Sequence, residues 1–391
     1  MYIIVLILAA AINFSTAISS IAVGLGFAYI LYKIFRTKTL PNINQEYLWI
    51  FGFYFLCQFF IAMLSIQPPI SFREFAAEIH RCFPFFFALL FVRNKYELRN
   101  VLIVILFCNI IDDFMGCYQK FFLGMDRPPA FNKSPTFFGS FLLMQFPTEI
   151  FIACLPIMPT WAKKLSIFAC VLTIFSLGIS FTRGAWLAFI FVVIVFMFVE
   201  KNYRKLALKF SAVFLSAAMI FFVVSPNAQN RLATLTDTKF QSNSERILMW
   251  QSAVEMFKDY PIHGAGQKMF FELYNHKYIS PDAKERETPD KPGHTHPHNN
   301  FLKAATEGGI LGLIAFIVLH GYFLYEFYKI YRNEETKLKF SAALTAFLIL
   351  VGLLAEGMTD TNMNQVPIMR EYWLIVGLML TARRLETEGR M

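Results

Sequence analysis

The residues best suited to chemistry are basic side chains that border long apolar runs. Arg183 lies in a very short turn between two such runs, and Arg246 lies in the longest polar segment of the chain. His294, His296 and His298 alternate with other residues directly before a later apolar run. Guanidinium groups bind phosphate or carboxylate through paired hydrogen bonds, and histidine can act as a general base near neutral pH. The set favours an anionic substrate and a base-assisted reaction.

Each of these residues also has a plainer interpretation. Arg183 could only place its guanidinium at the membrane interface, and Arg246 could be a solvated surface residue. The three histidines could be chance members of a polar loop, or they could bind a metal ion. No cysteine or nearby carboxylate completes a usual ligand set, so we expect no metal and no cofactor. Arg73 could pair with Glu74 or could add positive charge to the site.

Three carboxylates, Asp112, Asp113 and Glu149, lie within apolar runs. Carboxylates at membrane depth can form proton relays in transporters. They can also hydrogen-bond to neighbouring helices, and we favour this second interpretation.

Composition places these residues in an all-α integral membrane protein. The chain has 391 residues, of which 56% are hydrophobic and 16% charged, whereas soluble domains carry about 25% charged residues. Runs of about 20 apolar residues can cross a bilayer as helices, and continuous runs argue against a β-barrel. We predict about 12 transmembrane helices, at residues 2–14, 16–35, 47–66, 76–93, 99–121, 135–158, 163–181, 184–200, 206–225, 299–328, 338–357 and 369–385.

Charge predicts the orientation of these helices. Lys and Arg are concentrated in alternate short loops and in the C-terminal tail, which places both termini in the cytoplasm. The net charge of +9 therefore reflects membrane topology, and we expect no nucleic-acid partner. Three regions result: helices one to nine within 1–225, a long outer loop at 226–298, and the last three helices with a tail at 299–391.

The long loop is expected to contain short helices. Ser242 and Glu245 fit a capping box, which would put Arg246 in the first turn of a helix, where free backbone N–H groups also favour anions. Ile247, Trp250, Val254 and Phe257 follow at helical spacing and predict an amphipathic helix, which could lie against the membrane surface.

Four segments in order resemble the O-antigen ligase superfamily. Residues 298–312 (HNNFLKAATEGGILG) resemble its pattern of His-Asn, a hydrophobic pair and Glu-x-Gly-x-x-Gly. Residues 246–250 (RILMW) resemble its Arg-x-x-x-Trp element, and residues 261–266 (PIHGAG) its Pro-x-x-Gly-x-Gly element. Residues 182–184 (TRG) resemble its Thr-Arg-Gly turn. The layout of about twelve spans with one long outer loop is also similar.

The resemblance implies a polyprenyl-diphosphate-dependent glycosyltransferase of the bacterial inner membrane. In such ligases a glycan passes from undecaprenyl diphosphate to a sugar hydroxyl of lipid A–core, on the periplasmic face. Carried over by motif, Arg183 and Arg246 would hold the diphosphate and His298 would activate the acceptor hydroxyl. Arg73 is added from the topology alone. Donor, acceptor and membrane lipids are the expected partners, with no obligate protein partner.

Other activities remain open at this stage. O-antigen polymerases and protein O-oligosaccharyltransferases share the donor and differ in the acceptor. A transporter of lipid-linked oligosaccharide is the alternative from another class. It would place charged residues near the bilayer midplane, often in repeated halves, and the sequence contains no visible repeat.

Overall fold

The computed structural model describes residues 1–200, 229, 241–288, 293–333 and 341–391. Within these ranges the regular structure is helical and no strand occurs. The predicted span 206–225 and the first part of the predicted outer loop lie outside the described residues. The prediction of an all-α protein is confirmed for the part of the chain that the structure describes.

The helices follow the apolar runs of the sequence. The first eight described helices are α1 Tyr2–Ala11, α2 Thr16–Thr37, α3 Gln45–Met63, α4 Pro68–Phe91, α5 Lys95–Phe121, α6 Pro135–Cys154, α7 Thr160–Ile179 and α8 Arg183–Val199. The others are α9 Gln241–Asp259, α10 Met269–Leu273 with a π-helical turn at Tyr274–Tyr278, α11 Asn300–Asn333, α12 Ala342–Glu356, a 3₁₀ turn at Asn362–Asn364 and α13 Val366–Thr387.

Polar residues at the helix starts explain several of these boundaries. Asn94 accepts hydrogen bonds from the amides of Tyr96 and Glu97, both at 3.0 Å, and Ser134 accepts the Phe137 amide at 3.3 Å. These side chains satisfy backbone N–H groups that have no partner inside the helix.

Six of the described helices are long and apolar enough to cross a membrane: α2, α3, α5, α6, α7 and α11. Three shorter apolar helices accompany them: α1, α8 and α12. The protein is therefore a membrane protein. The count of about twelve crossings and the long periplasmic loop stay predictions, because α4 and α13 carry more charge and part of the chain lies outside the described ranges.

α13 runs through the centre of the helix bundle and is buried along most of its length. A Cβ on Gly377 would lie 2.6 Å from the Phe85 carbonyl oxygen, so α13 and α4 approach at the distance of backbone contact. The Trp373 ring packs against Phe51, Phe85 and Phe323, with ring centroids 4.9–5.7 Å apart. This packing fixes the N-terminal half of α13, which follows the turn that carries Thr359 and Asp360 to the candidate site.

α9 is present, as the periodicity predicts, but the predicted apolar face is not the one it buries, and Val254 of that face is exposed. Its buried residues include Met249, Ala253 and Met256, which pack on Phe270 and Tyr274 of the same loop rather than on a free membrane surface. This occurs because the loop folds back over the helix and covers that face.

The capping box predicted for α9 is wrong. The helix begins at Gln241, so Ser242 lies inside it and Arg246 lies in the second turn. The Glu245 carboxylate accepts the Lys284 amide at 2.8 Å instead of reaching back to Ser242. A distant backbone donor competes successfully for this carboxylate, which a local pattern cannot reveal.

Candidate active site

A polar cavity of about 350 Å³ opens where the start of α8, the start of α9 and the turn after α12 meet. Three arginines line it: Arg127 from the loop after α5, Arg183 from α8 and Arg246 from α9. Three carboxylates, those of Glu285, Glu356 and Asp360, also line it. Three guanidinium groups around one cavity give it the chemistry of a phosphate or carboxylate site.

Arg183 is held at the start of α8. Its guanidinium donates to the Ser242 hydroxyl at 3.0 Å and to the Asn243 side-chain oxygen at 2.8 Å, so it connects α8 with the start of α9. A Cβ on the following Gly184 would lie 2.6 Å from the Thr359 hydroxyl. The Thr-Arg-Gly turn therefore needs glycine because the turn after α12 packs directly on it.

His298 is paired with Asp360. The Nδ1 atom of His298 lies 3.2 Å from the Asp360 Oδ1 atom, which also accepts the Thr361 amide at 2.7 Å. Burial alone would raise the pKa of Asp360, but the hydrogen bond and the charge of His298, together with smaller contributions from His296 and the Thr361 amide, hold that pKa well below its usual range. A carboxylate can only accept hydrogen bonds, so the neutral His298 tautomer that satisfies this contact carries its proton on Nδ1 and has Nε2 as its proton acceptor.

His296 stands beside this pair, with its ring centroid 4.5 Å from that of His298. Burial, and to a smaller extent the charge of His298, lowers the pKa of His296 to about 3. His296 is therefore neutral at physiological pH. Ligand atoms of His296, His298 and Asp360 lie within 4.8 Å of one another and could hold a metal ion. The sequence around the histidines contains no carboxylate to complete a ligand set, and Asp360 provides one from a distant segment.

The residues after His298 are held by the turn that follows α12. The Asn299 side chain caps α11 by accepting the amides of Phe301 and Leu302 at 2.9 and 3.0 Å. The Asn300 amide donates to the Gly357 carbonyl at 2.8 Å. The His-Asn element is thus the start of α11, fixed against the segment that carries Asp360.

A second element of the loop holds the segment before His298. The Trp250 indole N–H donates to the Pro297 carbonyl oxygen at 2.9 Å. Trp250 and Arg246 are four residues apart and share one side of α9. The Arg-x-x-x-Trp element therefore presents an arginine to the cavity and binds the histidine segment with the same helix face.

The remaining two motifs fit into each other. α11 is broken at Gly309, where φ is 60° and ψ is −154°, a conformation that only glycine adopts readily. The break leaves backbone groups that bind segment 261–266: the Ala265 amide donates to the Thr306 carbonyl at 3.1 Å, and the Ile310 amide donates to the Pro261 carbonyl at 2.8 Å. A Cβ on Gly264 would lie 2.4 Å from Glu307 backbone atoms, so this contact also requires glycine.

Arg73 lies apart from these residues. It is exposed on α4 and is not among the residues that line the cavity. Glu74, its neighbour, forms ion pairs with Arg81 and with Lys268, the latter at 3.8 Å. The suggested Arg73–Glu74 pair is absent among the described contacts, and a role for Arg73 at the diphosphate stays a prediction.

The carboxylates inside the bundle are hydrogen-bonded by their neighbours. Asp113 and Glu149 both accept from the Thr173 hydroxyl, at 2.9 Å and 3.0 Å. Asp112 accepts the Phe131 amide at 3.1 Å. These contacts support the interpretation that the three carboxylates join helices.

Sequence reasoning missed Arg127, Glu356 and Asp360. Each lies in a turn or at a helix end without a motif around it, and Asp360 is 62 residues from its partner His298. The polar run at 359–364 between two apolar segments was the available signal for Asp360.

The fold and the cavity define a membrane protein with an arginine-lined polar site at one end of its helices. Residues 168–317 match the O-antigen ligase family, which confirms the resemblance predicted from the four motifs. That segment contains Arg183, Arg246 and His298.

Similar proteins cover most of the chain. One from Rickettsia felis, named "Putative polysaccharide ligase", is 22% identical over 310 residues, or 78% of this chain and 71% of its own. One of the same description from Rickettsia conorii is 25% identical and covers 74% of this chain and 68% of its own. An uncharacterized protein of Haemophilus influenzae is 25% identical over 81% of this chain and 80% of its own.

Proposed function

We propose that the protein is an O-antigen ligase. It would transfer a glycan from undecaprenyl diphosphate to a sugar hydroxyl of lipid A–core, at the periplasmic face of a bacterial inner membrane. The observation that carries the proposal is the cavity where Arg183 and Arg246 meet Asp360, which in turn bonds His298. A polyanion site and a base then lie side by side.

The donor diphosphate fits the arginine wall of the cavity. The bond to be broken joins the anomeric carbon of the sugar to a diphosphate oxygen, and negative charge grows on that oxygen as the bond breaks. Guanidinium groups of Arg183, Arg246 and Arg127 would stabilise this charge. Undecaprenyl diphosphate then leaves without needing a protonating acid.

The acceptor hydroxyl needs a base because it is a poor nucleophile. The Nε2 atom of His298 would take its proton as the new bond forms between the hydroxyl oxygen and the anomeric carbon, which inverts that centre. Such a base contributes about 10²–10⁴ in rate. Asp360 acts as a positioning residue, because its carboxylate holds the proton on Nδ1 and leaves Nε2 as the acceptor.

The mechanism requires no metal ion, although His296, His298 and Asp360 could hold one. A histidine that coordinates a metal through Nε2 cannot also accept a proton there. We expect EDTA to leave the transfer rate of the purified protein unchanged. Loss of activity in EDTA with recovery in zinc would assign these three residues to a metal site instead.

The function is tested by offering the purified full chain a choice of acceptors. Undecaprenyl-diphosphate-linked glycan is the donor, and lipid A–core or a second donor glycan is the acceptor. We expect capped lipid A–core. Lengthening of the donor glycan instead would make the protein a polymerase, and donor transport into vesicles without transfer would make it a transporter.

Two arginine variants locate the diphosphate site in the same assay. Arg246→Ala removes a guanidinium from the cavity and should lower transfer about 10²–10³-fold, as expected for loss of one donor to a developing anion. Arg73→Ala removes an exposed arginine outside the cavity and should cost less. Equal losses for the two variants would contradict the position of the site.

A further inference from the structure

A second basic cavity lies at the other end of the bundle. It has a volume of about 490 Å³ and is lined by the C-terminal halves of α2 and α4 and by the end of α13. Its lining includes four cationic side chains, those of Lys33, Arg93, Arg384 and Arg390. Glu388 is the one carboxylate among the lining residues. The 22 residues of α13 put about 33 Å between this cavity and the candidate active site.

Two of the arginines form a fixed wall. The Arg384 guanidinium donates to the Leu89 and Val92 carbonyl oxygens at 3.1 and 3.0 Å, which are free acceptors at the end of α4. The Arg390 guanidinium donates to the Arg93 carbonyl at 2.7 Å and pairs with Glu388 at 2.6 Å. These contacts hold both guanidinium groups in a set position, and the single carboxylate, Glu388, offsets the charge of Arg390 alone.

The other two cations have no such partners. Neither the Lys33 ammonium nor the Arg93 guanidinium forms an ion pair or a hydrogen bond with any residue that the structure describes. Both are exposed. A basic loop needed only for membrane orientation requires no concave surface, whereas here four cations converge on one.

The cavity also has apolar lining residues: Ile30, Leu89, Leu90 and Phe91. They adjoin exposed apolar side chains of α2. Near the end of α2, Phe35 is 85% exposed. Because α2 is long and apolar enough to cross the membrane, such a side chain can contact lipid. A ligand that fits this surface has an anionic head and an apolar tail.

We propose that this cavity binds the phosphate of an anionic phospholipid, with an acyl chain along Ile30 and Leu90. Basic pockets between transmembrane helices suit such head groups. Lys33 and Arg93 bind the phosphate oxygens, and Arg384 and Arg390 supply the fixed field. The site is separate from the transfer reaction, so its test does not depend on the proposed function.

The test is lipid binding to the purified full chain in neutral detergent, measured by native mass spectrometry and by the melting temperature. The probes are phosphatidylglycerol, phosphatidylcholine with the same chains, and inorganic phosphate. We expect binding and stabilisation by phosphatidylglycerol, weak binding of phosphatidylcholine and no effect of phosphate alone. Equal effects of the two lipids, or stabilisation by phosphate alone, would overturn the proposal.

Variants identify the residues. Lys33→Gln combined with Arg93→Gln should weaken phosphatidylglycerol binding about 30-fold, because each basic residue contributes about fivefold near anionic lipid. Lys163→Gln combined with Lys164→Gln removes the same charge from the start of α7, at the same end of the bundle but outside the cavity, and should change binding less than about twofold. If both double variants lost phosphatidylglycerol binding equally, the binding would depend only on the net charge of the protein, and the proposed site would be rejected.

Discussion

Arginines gather near both ends of α13, but the side chains around them are arranged differently. At the N-terminal end the Asn300 side-chain amide donates to Asn362 at 2.7 Å, and Glu356 accepts from Ser140 and Asn362 at 2.6 and 2.9 Å. At the C-terminal end Lys33 and Arg93 are exposed, and apolar side chains line the cavity beside them.

The difference fits two kinds of ligand. A reaction needs its groups fixed to a fraction of an ångström before the substrate arrives, and a buried hydrogen-bond network provides that order. A lipid head group needs charge and access more than exact placement. Substitutions at the first end should therefore alter rate or folding, whereas those at the second should alter lipid binding.

The largest effect is expected for Asp360→Asn. An asparagine keeps the shape but can donate to Nδ1 of His298, which moves the ring proton to Nε2 and removes the base. We expect the transfer rate to fall about 10²–10⁴-fold, as when aspartate is replaced beside a catalytic histidine. The melting temperature and phosphatidylglycerol binding should stay unchanged.

Asp282→Asn, at an exposed loop carboxylate, is the control for Asp360→Asn and should retain the wild-type rate. A rate within threefold of wild type for Asp360→Asn would show that Asp360 does not position His298.

The next effect is on folding at the same end. Gly309→Ala should destabilise the protein by at least about 3 kcal/mol, because φ and ψ are unsuited to a side chain and the new Cβ would lie 2.5 Å from the Ile262 carbonyl group. Gly321→Ala is the control within the same helix, since its Cβ would meet nothing within 4 Å. The free energy of unfolding in detergent is measured for both variants. Equal stability of Gly309→Ala and Gly321→Ala would contradict the packing of segment 261–266 into the break of α11 at Gly309.

The smallest effect is a pH dependence of stability. Folding lowers the pKa of His296 from 6.5 to about 3, so the unfolded chain gains a proton that the folded chain excludes as the pH falls. His296 should therefore lower the stability by about 2 kcal/mol between pH 7 and pH 5. His296→Gln should remove this contribution, and the exposed His276→Gln should leave it in place. An unchanged slope in His296→Gln would show that His296 is not held neutral.

The sequence predicted the elements of the site better than their connections. Arg183, Arg246 and His298 were predicted from types, spacing and motifs, and the structure brings them to one cavity and its edge. The break at Gly309 and its fit with segment 261–266 join two motifs that the sequence presents only as separate patterns, because their contacts are between backbone groups.

The errors have one physical cause, which is competition from distant partners. The Glu245 carboxylate bonds Lys284 rather than its own helix start, and Glu74 pairs with Arg81 and Lys268 rather than Arg73. Likewise, the partner of His298 comes from the segment before α13. Local spacing gives the helices and their polar ends, but it cannot show which distant group a side chain meets.

The most direct test of the central claim is the initial transfer rate of His298→Ala with undecaprenyl-diphosphate-linked glycan and lipid A–core. His276→Ala, which removes an exposed histidine of the same loop, is measured beside it, and both must melt at the wild-type temperature. We predict a fall of about 10²–10⁴-fold for His298→Ala and none for His276→Ala. A His298→Ala rate within threefold of wild type would contradict the account, because no base would then act at this cavity.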